Sequence, residues 1–280
     1  MIIAMMVVFG LCLGSFVNAL AWRLHEQETE QAKKKTSKQR LQDLSISKGR
    51  SMCPHCSHEL SAWDLIPVLS WVFLRGKCRY CRTPISVQYP VVELLTATLF
   101  VVSYLWWPYD LHGLRTAAFV LWLPILTGLM ALVVYDLHWM LLPNRIMYPL
   151  GCLAGVFAGS NILAADEPTK ALVLTLLAVM LGGGIFYILF QVSGGKWIGG
   201  GDVKLGWLLG LLVGTPALSF LFIFAAALLG TLYSLPLLLK GSIKVTKAIP
   251  FGPFLIAGAV IAQLYGADIL DWYKRFFILQ

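Results

Sequence analysis

Two aspartates of this sequence, Asp136 and Asp202, lie at the ends of apolar segments. A carboxylate inside or at the edge of an apolar span is energetically unfavourable and usually has a function. Two neighbouring carboxylates can share a proton, so that one acts as a base and the other as an acid. Three glycines precede Asp202 and allow close approach of another chain. The pattern therefore indicates aspartic-protease chemistry at a membrane. The predicted substrate cleft comprises Gly199, Gly200, Gly201 and Lys204.

The aspartates also have non-proteolytic interpretations. A single acidic residue near a span end is often a solvated helix-end residue, as we expect for Asp166. Intramembrane carboxylates also relay ions in transporters. A transporter would show inverted repeats and interrupted helices in matching halves, and neither pattern is visible in the sequence. A membrane-anchored zinc scaffold is a third alternative, and it leaves the glycines before Asp202 unexplained.

Four cysteines form two C-x-x-C pairs and predict a metal site. Each pair can present two thiolates from one tight turn, and two such turns complete a tetrahedron around Zn²⁺. Four thiolates leave no open coordination position, so the predicted zinc is structural. Reduced structural thiols or a redox pair are the alternatives, and His55 and His58 are alternative ligands. The predicted ligands are Cys53, Cys56, Cys78 and Cys81.

The elements that position these residues are predicted to be membrane helices. The chain has 280 residues, of which 58% are hydrophobic and 13% are charged. This balance is typical of a polytopic helical membrane protein and excludes an ordinary soluble domain. The predicted fold is all-α, with about eight transmembrane helices and a cytoplasmic zinc-binding insertion between helices 1 and 2. The predicted spans are 1–22, 91–107, 116–136, 146–164, 171–191, 203–214, 217–239 and 251–267.

Charge distribution predicts the topology of these spans. The chain divides into a first transmembrane helix (1–22), a cytoplasmic insertion (23–90) and a transmembrane peptidase core (91–280). Basic residues concentrate at 23–82, 196–204 and 240–247, and such segments normally stay cytoplasmic. The net charge of +8 therefore reflects topology and attraction to anionic lipids, and we expect no nucleic-acid partner. The N-terminus is expected outside, and both aspartates on the cytoplasmic face.

Taken together, the motifs resemble those of the type IV prepilin peptidases, which belong to the GxGD aspartic proteases alongside presenilin. Asn144 stands where many members of the family have aspartate, and this difference leaves the two predicted catalytic residues unchanged. The matching segments are 14–18 with Arg23, the cysteine pairs, 88–93, Asp136 with 142–144, 199–205 and 250–253.

The resemblance implies an enzyme with two activities in the bacterial inner membrane. It would cleave the leader peptides of prepilin and pseudopilin precursors at the cytoplasmic face. It would then N-methylate the new N-terminal residue with S-adenosylmethionine. Members without the cysteine insertion tend to be peptidases only, so the insertion favours the double activity. The candidate residues for methylation or substrate positioning are Glu93, Asn18 and Arg23, for which a structural polar contact is the alternative.

Overall fold

The computed structural model describes residues 1–32, 42–46, 49–239 and 249–277. Over these ranges the regular structure is helical, apart from two isolated β-bridges. A 3₁₀ helix covers Ala62–Leu65. We number the α-helices α1 (Ile2–Ala32), α2 (Leu69–Phe73), α3 (Gln88–Leu105), α4 (Leu114–Trp139), α5 (Asn144–Leu163), α6 (Pro168–Ser193), α7 (Gly200–Val213), α8 (Pro216–Leu239) and α9 (Gly252–Phe277).

The helices confirm the predicted class of fold. Among the described residues, seven helices (α1, α3, α4, α5, α6, α8 and α9) are long and apolar enough to cross a membrane. The chain is therefore a multi-pass membrane protein. The remaining apolar helix, α7, corresponds to the segment predicted at 203–214 and has 14 residues. At about 1.5 Å per residue it extends about 21 Å, which is less than a hydrocarbon core of about 30 Å.

The first helix is longer than its apolar sequence. It continues to Ala32, ten residues beyond the predicted span of 1–22, because its polar C-terminal part is stabilised by contacts with the following segment. The Gln27 side chain donates a hydrogen bond of 2.7 Å to the Leu44 carbonyl. The basic residues predicted on the cytoplasmic side at 33–40, 48 and 240–247 lie outside the described residues.

The chain forms two compact units, and the first comprises Met1–Leu105. Helices α1 and α3 pack together through the small residues of a G-x-x-x-G pattern on α1. A Cβ atom added to Gly14 would lie 2.6 Å from the Glu93 Cα atom, and one added to Gly10 would overlap Ala97. Small residues drive such packing in membranes, because lipid removes the hydrophobic contribution to helix association. The segment between α1 and α3 carries the four cysteines.

The second unit, Trp106–Gln280, contains α4 to α9. Its shortest helix, α7, packs against α6 with backbones in close contact. A Cβ atom added to Gly206 would lie 2.5 Å from the Gly182 carbonyl oxygen, and one added to Gly210 would lie 2.7 Å from the Ala178 carbonyl oxygen. The two helices are therefore antiparallel and fixed in register by small residues.

This register sets the depth of the α7 N-terminus. Ser193, the last residue of α6, lies 11 residues beyond Gly182, whereas Gly200, the first residue of α7, lies only 6 residues before Gly206. The difference of five residues corresponds to about 7.5 Å along the helix axis. The first residue of α7 therefore lies beside the interior of α6 and not beside its last residue. The turn between the two helices carries the chain back over that distance.

We expect Gly206→Ala to destabilise the protein, because the new methyl group meets the Gly182 carbonyl oxygen. Overpacking of this kind costs about 1–3 kcal/mol, so the midpoint of thermal unfolding in detergent should fall by several degrees. Gly184→Ala is the matched control, because a Cβ atom there meets nothing within 4 Å. Equal midpoints for the two variants would contradict the proposed packing.

Candidate active site and cysteine cluster

The first predicted catalytic residue, Asp136, lies in the last turn of α4, and its residue surface is 5% exposed. Its Oδ2 atom accepts a hydrogen bond of 3.1 Å from the backbone N–H of Gly252, the first residue of α9. A Cβ atom at residue 252 would lie only 2.6 Å from this oxygen. Helix α4 ends with Met140 in the left-handed conformation, and its N–H donates to the Asp136 carbonyl. The carboxyl group is thus fixed by the start of another helix.

The second predicted catalytic residue, Asp202, is the third residue of α7. Gly199 caps the helix, and its backbone N–H donates a hydrogen bond to the Asp202 carboxylate. An acidic side chain at this position also interacts favourably with the positive end of the helix dipole. Asp202 is half-buried, so its carboxylate combines a fixed position with access from one side.

The structure brings the two aspartates together. Their carboxyl groups are close enough to interact electrostatically. Leu142, in the turn after α4, packs between the N-termini of α7 and α9: it lies 3.2 Å from a Cβ atom added to Gly201 and 3.7 Å from one added to Gly252. The same turn leads into α5, where the Asn144 side chain accepts a hydrogen bond of 2.9 Å from Lys204 Nζ. This bond fixes α5 to the start of α7.

The predicted cleft residues have different environments. Gly199 and Gly200 are exposed, and a Cβ atom on either would meet only ordinary contacts. Gly201 instead faces Leu142 at close distance. Lys204 is exposed, with its ammonium group bonded to Asn144 and 5.9 Å from the centre of the Tyr148 ring. Gly199 and Gly200 thus border open space beside Asp202, while Gly201 and Lys204 hold α7 against its neighbours.

The four predicted metal ligands also come together. The sulfur atoms of Cys53, Cys56, Cys78 and Cys81 all lie within 4.8 Å of one another. The Cys53 and Cys81 sulfurs are 3.9 Å apart, close to the spacing of about 3.8 Å that bonds of about 2.3 Å give in a tetrahedral site. A hydrogen bond from the Thr83 hydroxyl is the main cause that lowers the pKa of Cys81 to about 6. The set therefore fits a thiolate-bound metal ion.

The two cysteine turns have the same backbone structure. The N–H of Cys53 donates to the His58 carbonyl, and the N–H of Cys78 donates to the Thr83 carbonyl. Each turn also has a left-handed residue directly after its second cysteine (Ser57, φ 55°; Arg82, φ 60°) and is closed by a β-bridge. The sequence alone did not reveal this repeat, because the two ten-residue segments, 51–60 and 76–85, share almost no residues apart from the cysteines.

A buried acid joins the segment between the cysteine turns to the second turn. The Asp64 side chain is 3% exposed and accepts a hydrogen bond of 2.7 Å from Arg79 Nε. Its other oxygen accepts from the Ser61 hydroxyl at 2.8 Å. Burial raises the pKa of Asp64, but the hydrogen bonds from Arg79 and Ser61 outweigh this and lower it. No signal in the sequence identified this pair, because Arg79 lies between two cysteines and Asp64 lies in an apolar stretch.

The three residues predicted for methylation or substrate positioning are buried in the first unit. The Asn18 side chain donates a hydrogen bond of 3.2 Å to the Tyr89 carbonyl and accepts one from Gln88, so it joins α1 to α3. Arg23 Nη1 donates a hydrogen bond of 2.6 Å to the Ser45 carbonyl. Glu93 Oε2 accepts a hydrogen bond of 2.7 Å from the backbone N–H of Val68, a β-branched residue with φ of 61°. All three make structural contacts, whatever further role they have.

The chain is thus a multi-pass membrane protein with a paired-acid site, in which two carboxylates lie on different helices. A four-cysteine cluster lies in a separate unit. Comparison with known families agrees with this description. Residues 8–107 match the bacterial peptidase A24 N-terminal domain, and residues 123–235 match the type IV leader peptidase family. The chain belongs to the type IV leader peptidase family.

Curated relatives are similar over almost their whole length. A prepilin leader peptidase/N-methyltransferase of Bacillus subtilis (strain 168) is 31% identical over 98% of this chain and 98% of its own. The proteins of that name from Aeromonas hydrophila and Dichelobacter nodosus are 34% and 32% identical, over 97% and 96% of this chain and 93% of each relative. No solved structure gives a significant match to the chain.

Proposed function

We propose that this protein is a membrane aspartic endopeptidase and N-methyltransferase that processes prepilin and pseudopilin precursors. The observation that carries the peptidase assignment is the approach of Asp136, fixed by Gly252, to Asp202 at the start of α7. The names of relatives that match over nearly the whole chain support both activities. The substrates would be membrane-anchored proteins with short basic leaders.

Peptide cleavage requires a base and an acid at the same carbonyl group. One aspartate of the pair would take a proton from water, and the attacking oxygen would add to the scissile carbonyl carbon. The other would donate its proton to the carbonyl oxygen, and a proton then passes to the leaving amine. Because Gly199 and Gly200 border open space beside Asp202, we assign them to the path of the extended substrate. Gly201 and Lys204 hold the start of α7 in position.

Methyl transfer requires a second site, which we assign to the unit Met1–Leu105. Glu93, Asn18 and Arg23 are the residues proposed for it. Glu93 and Arg23 line the cavity of this unit, and Asn18 does not. We therefore assign Asn18 to positioning, because it connects α1 to the start of α3. The methyl donor is S-adenosylmethionine, which supplies an electrophilic methyl group.

The four cysteines would hold a structural Zn²⁺, which stabilises the cysteine turns and takes no part in either reaction. Four thiolates satisfy the tetrahedral coordination of zinc completely. The basic segments favour an N-terminus in the periplasm and both activities at the cytoplasmic face of the bacterial inner membrane. Anionic lipids would contact these segments.

Substitution of either aspartate tests the peptidase. With purified enzyme and a prepilin substrate, Asp136→Ala and Asp202→Ala should each lower the cleavage rate by at least about 100-fold, because positioned acid and base groups typically contribute this much. Asp166→Ala removes an exposed acid and should retain cleavage within about twofold. Near wild-type cleavage by either active-site variant would exclude the aspartic mechanism.

The second activity predicts a mass change in the product. Wild-type protein incubated with prepilin and S-adenosylmethionine should yield a mature product heavier by one methyl group at its N-terminal residue. Without S-adenosylmethionine, the product should have the unmodified mass. Mass spectrometry of the released protein distinguishes these results, and an unmodified product in both reactions would exclude the methyltransferase.

Elemental analysis tests the metal site. We expect about one zinc per purified chain, lost in Cys53→Ser and Cys78→Ser, because each substitution removes a thiolate from the coordination set. Cys152→Ser is the control, since Cys152 is an exposed residue of α5 outside the cluster. Zinc that remains in both cluster variants would contradict the assignment.

A further inference from the structure

Helix α2, in the cysteine-containing segment, has an exposed apolar face. Leu69, Val72 and Phe73 follow one another at spacings of three and four residues, so their side chains lie on one side of the helix. They are 53%, 56% and 80% exposed. The other side of α2 contacts the protein, where the Trp71 indole N–H donates a hydrogen bond of 3.1 Å to the Ile85 carbonyl. A helix face in contact with water is normally polar, so this apolar face indicates contact with a partner or a membrane.

The position of α2 beside α3 identifies the surroundings of this face. The backbone N–H of Val68, the residue before α2, donates a hydrogen bond of 2.7 Å to Glu93. Glu93 lies five residues after the first residue of α3, which corresponds to about 7.5 Å along the helix axis. Helix α3 has 18 residues, and its length of about 27 Å is just enough to cross a hydrocarbon core of about 30 Å. Val68 therefore lies beside a part of α3 that is within the bilayer.

Helix α1 gives a second, independent measure of this depth. The Ser15 side chain also forms a hydrogen bond with Glu93, so Ser15 and Val68 share one acceptor. The apolar run of α1 ends at Trp22, seven residues after Ser15, which corresponds to about 10 Å. Two membrane helices thus place the residue before α2 about 7–10 Å inside the end of an apolar span.

The backbone around α2 is suited to this depth. Non-helical backbone within a bilayer is tolerated where the protein itself satisfies the polar groups. Val68 has a left-handed φ of 61°, and Glu93 accepts the hydrogen bond from its N–H. Carbonyl groups of the same segment accept hydrogen bonds from the N–H groups of Leu69, Ser70, Val72, Leu74, Arg75 and Gly76. These donors therefore need no water.

Basic and aromatic residues flank the apolar face. Arg75 and Lys77 are exposed and follow Phe73 by two and four residues. Cations at a membrane surface attract anionic headgroups, and the long stems of these side chains let the charge reach the headgroups from a deeper position. Trp63 is 73% exposed and belongs to the 3₁₀ helix, which packs beside α2. Exposed tryptophan is typical of the membrane–water interface.

We propose that α2 anchors the cysteine-containing segment in the membrane, inserted into the leaflet that surrounds the start of α3. Leu69, Val72 and Phe73 contact acyl chains, while Arg75 and Lys77 bind anionic headgroups. The depth set by Glu93 matches the 5–10 Å or so at which interfacial helices bury their apolar faces. The same lipid contact continues along the exposed apolar residues of α3, which include Val91, Leu94 and Leu95. The segment is thus attached to the membrane at α2 as well as through α1 and α3.

A photoreactive residue tests the insertion. Phe73→benzoylphenylalanine in the full-length protein, in nanodiscs with equal amounts of phosphatidylglycerol and phosphatidylcholine, should form lipid adducts on irradiation, because the benzophenone reacts with nearby acyl C–H bonds. Leu94→benzoylphenylalanine is the positive control, since Leu94 is an exposed apolar residue of α3. The adduct yield at Phe73, measured by mass spectrometry, should be within about threefold of that at Leu94. The measurement does not depend on either enzymatic activity.

Thr29 is the negative control, because it is an exposed residue of α1 seven positions beyond Trp22, about 10 Å outside the apolar run. The photoreactive residue at Thr29 should give at least about tenfold fewer lipid adducts. A yield at Phe73 as low as at Thr29 would overturn the proposal. Adducts to added prepilin that replace the lipid adducts would also overturn it, because the face would then bind substrate. Val72 lies on the same face, so a second variant there keeps the test independent of the folding of one variant.

The headgroup contact has a charge-specific test in the same nanodiscs. Relative to Leu94, adducts at Phe73 should be enriched at least about twofold in phosphatidylglycerol, because Arg75 and Lys77 attract anionic lipid. Arg75→Gln combined with Lys77→Gln keeps the apolar face, so it should abolish the enrichment and leave the total adduct yield within about twofold. Equal lipid ratios at Phe73 and Leu94 without these substitutions would exclude the assignment of the two cations to headgroups.

Discussion

The close backbone contact between α6 and α7 is the constraint on which the candidate active site depends. Lipid provides no hydrophobic force to hold two apolar helices together, so their association relies on small residues and van der Waals contact. Gly206 and Gly210 meet Gly182 and Ala178 at distances that exclude larger side chains. This contact fixes the register of a helix that is too short to span the membrane alone. Through that register it determines where Asp202 lies.

The cysteine-containing segment has a different source of order. The helices among its described residues are short, and its conformation is fixed by polar contacts: paired turns, the Asp64–Arg79 ion pair and the bond from Val68 to Glu93. The last of these connects the segment to a membrane helix. Val68 keeps an unfavourable φ of 61°, which persists only where surrounding contacts determine it. Glu93 thus stabilises this segment and also lines the cavity of the unit Met1–Leu105.

Sequence alone predicted the class of fold, most helices and the residues of both clusters, because apolar length and cysteine spacing are local properties. It did not predict the contact of Gly252 with Asp136, which joins residues 116 positions apart. The extension of α1 to Ala32 was also missed, because Gln27 gains its partner from a distant segment. These features depend on tertiary contacts that hydropathy does not encode.

The short α7 has a consequence for the lipid around the protein. Asp202 lies four residues before Gly206, so it is about 10 Å short of the end of the neighbouring α6. A bilayer with longer acyl chains covers more of that gap with hydrocarbon, and a thinner bilayer brings the headgroups and their water closer to the carboxylates. Acyl-chain length therefore sets how deeply water must penetrate to reach these two acids. The lipid composition of the membrane thus affects the hydration of the candidate active site.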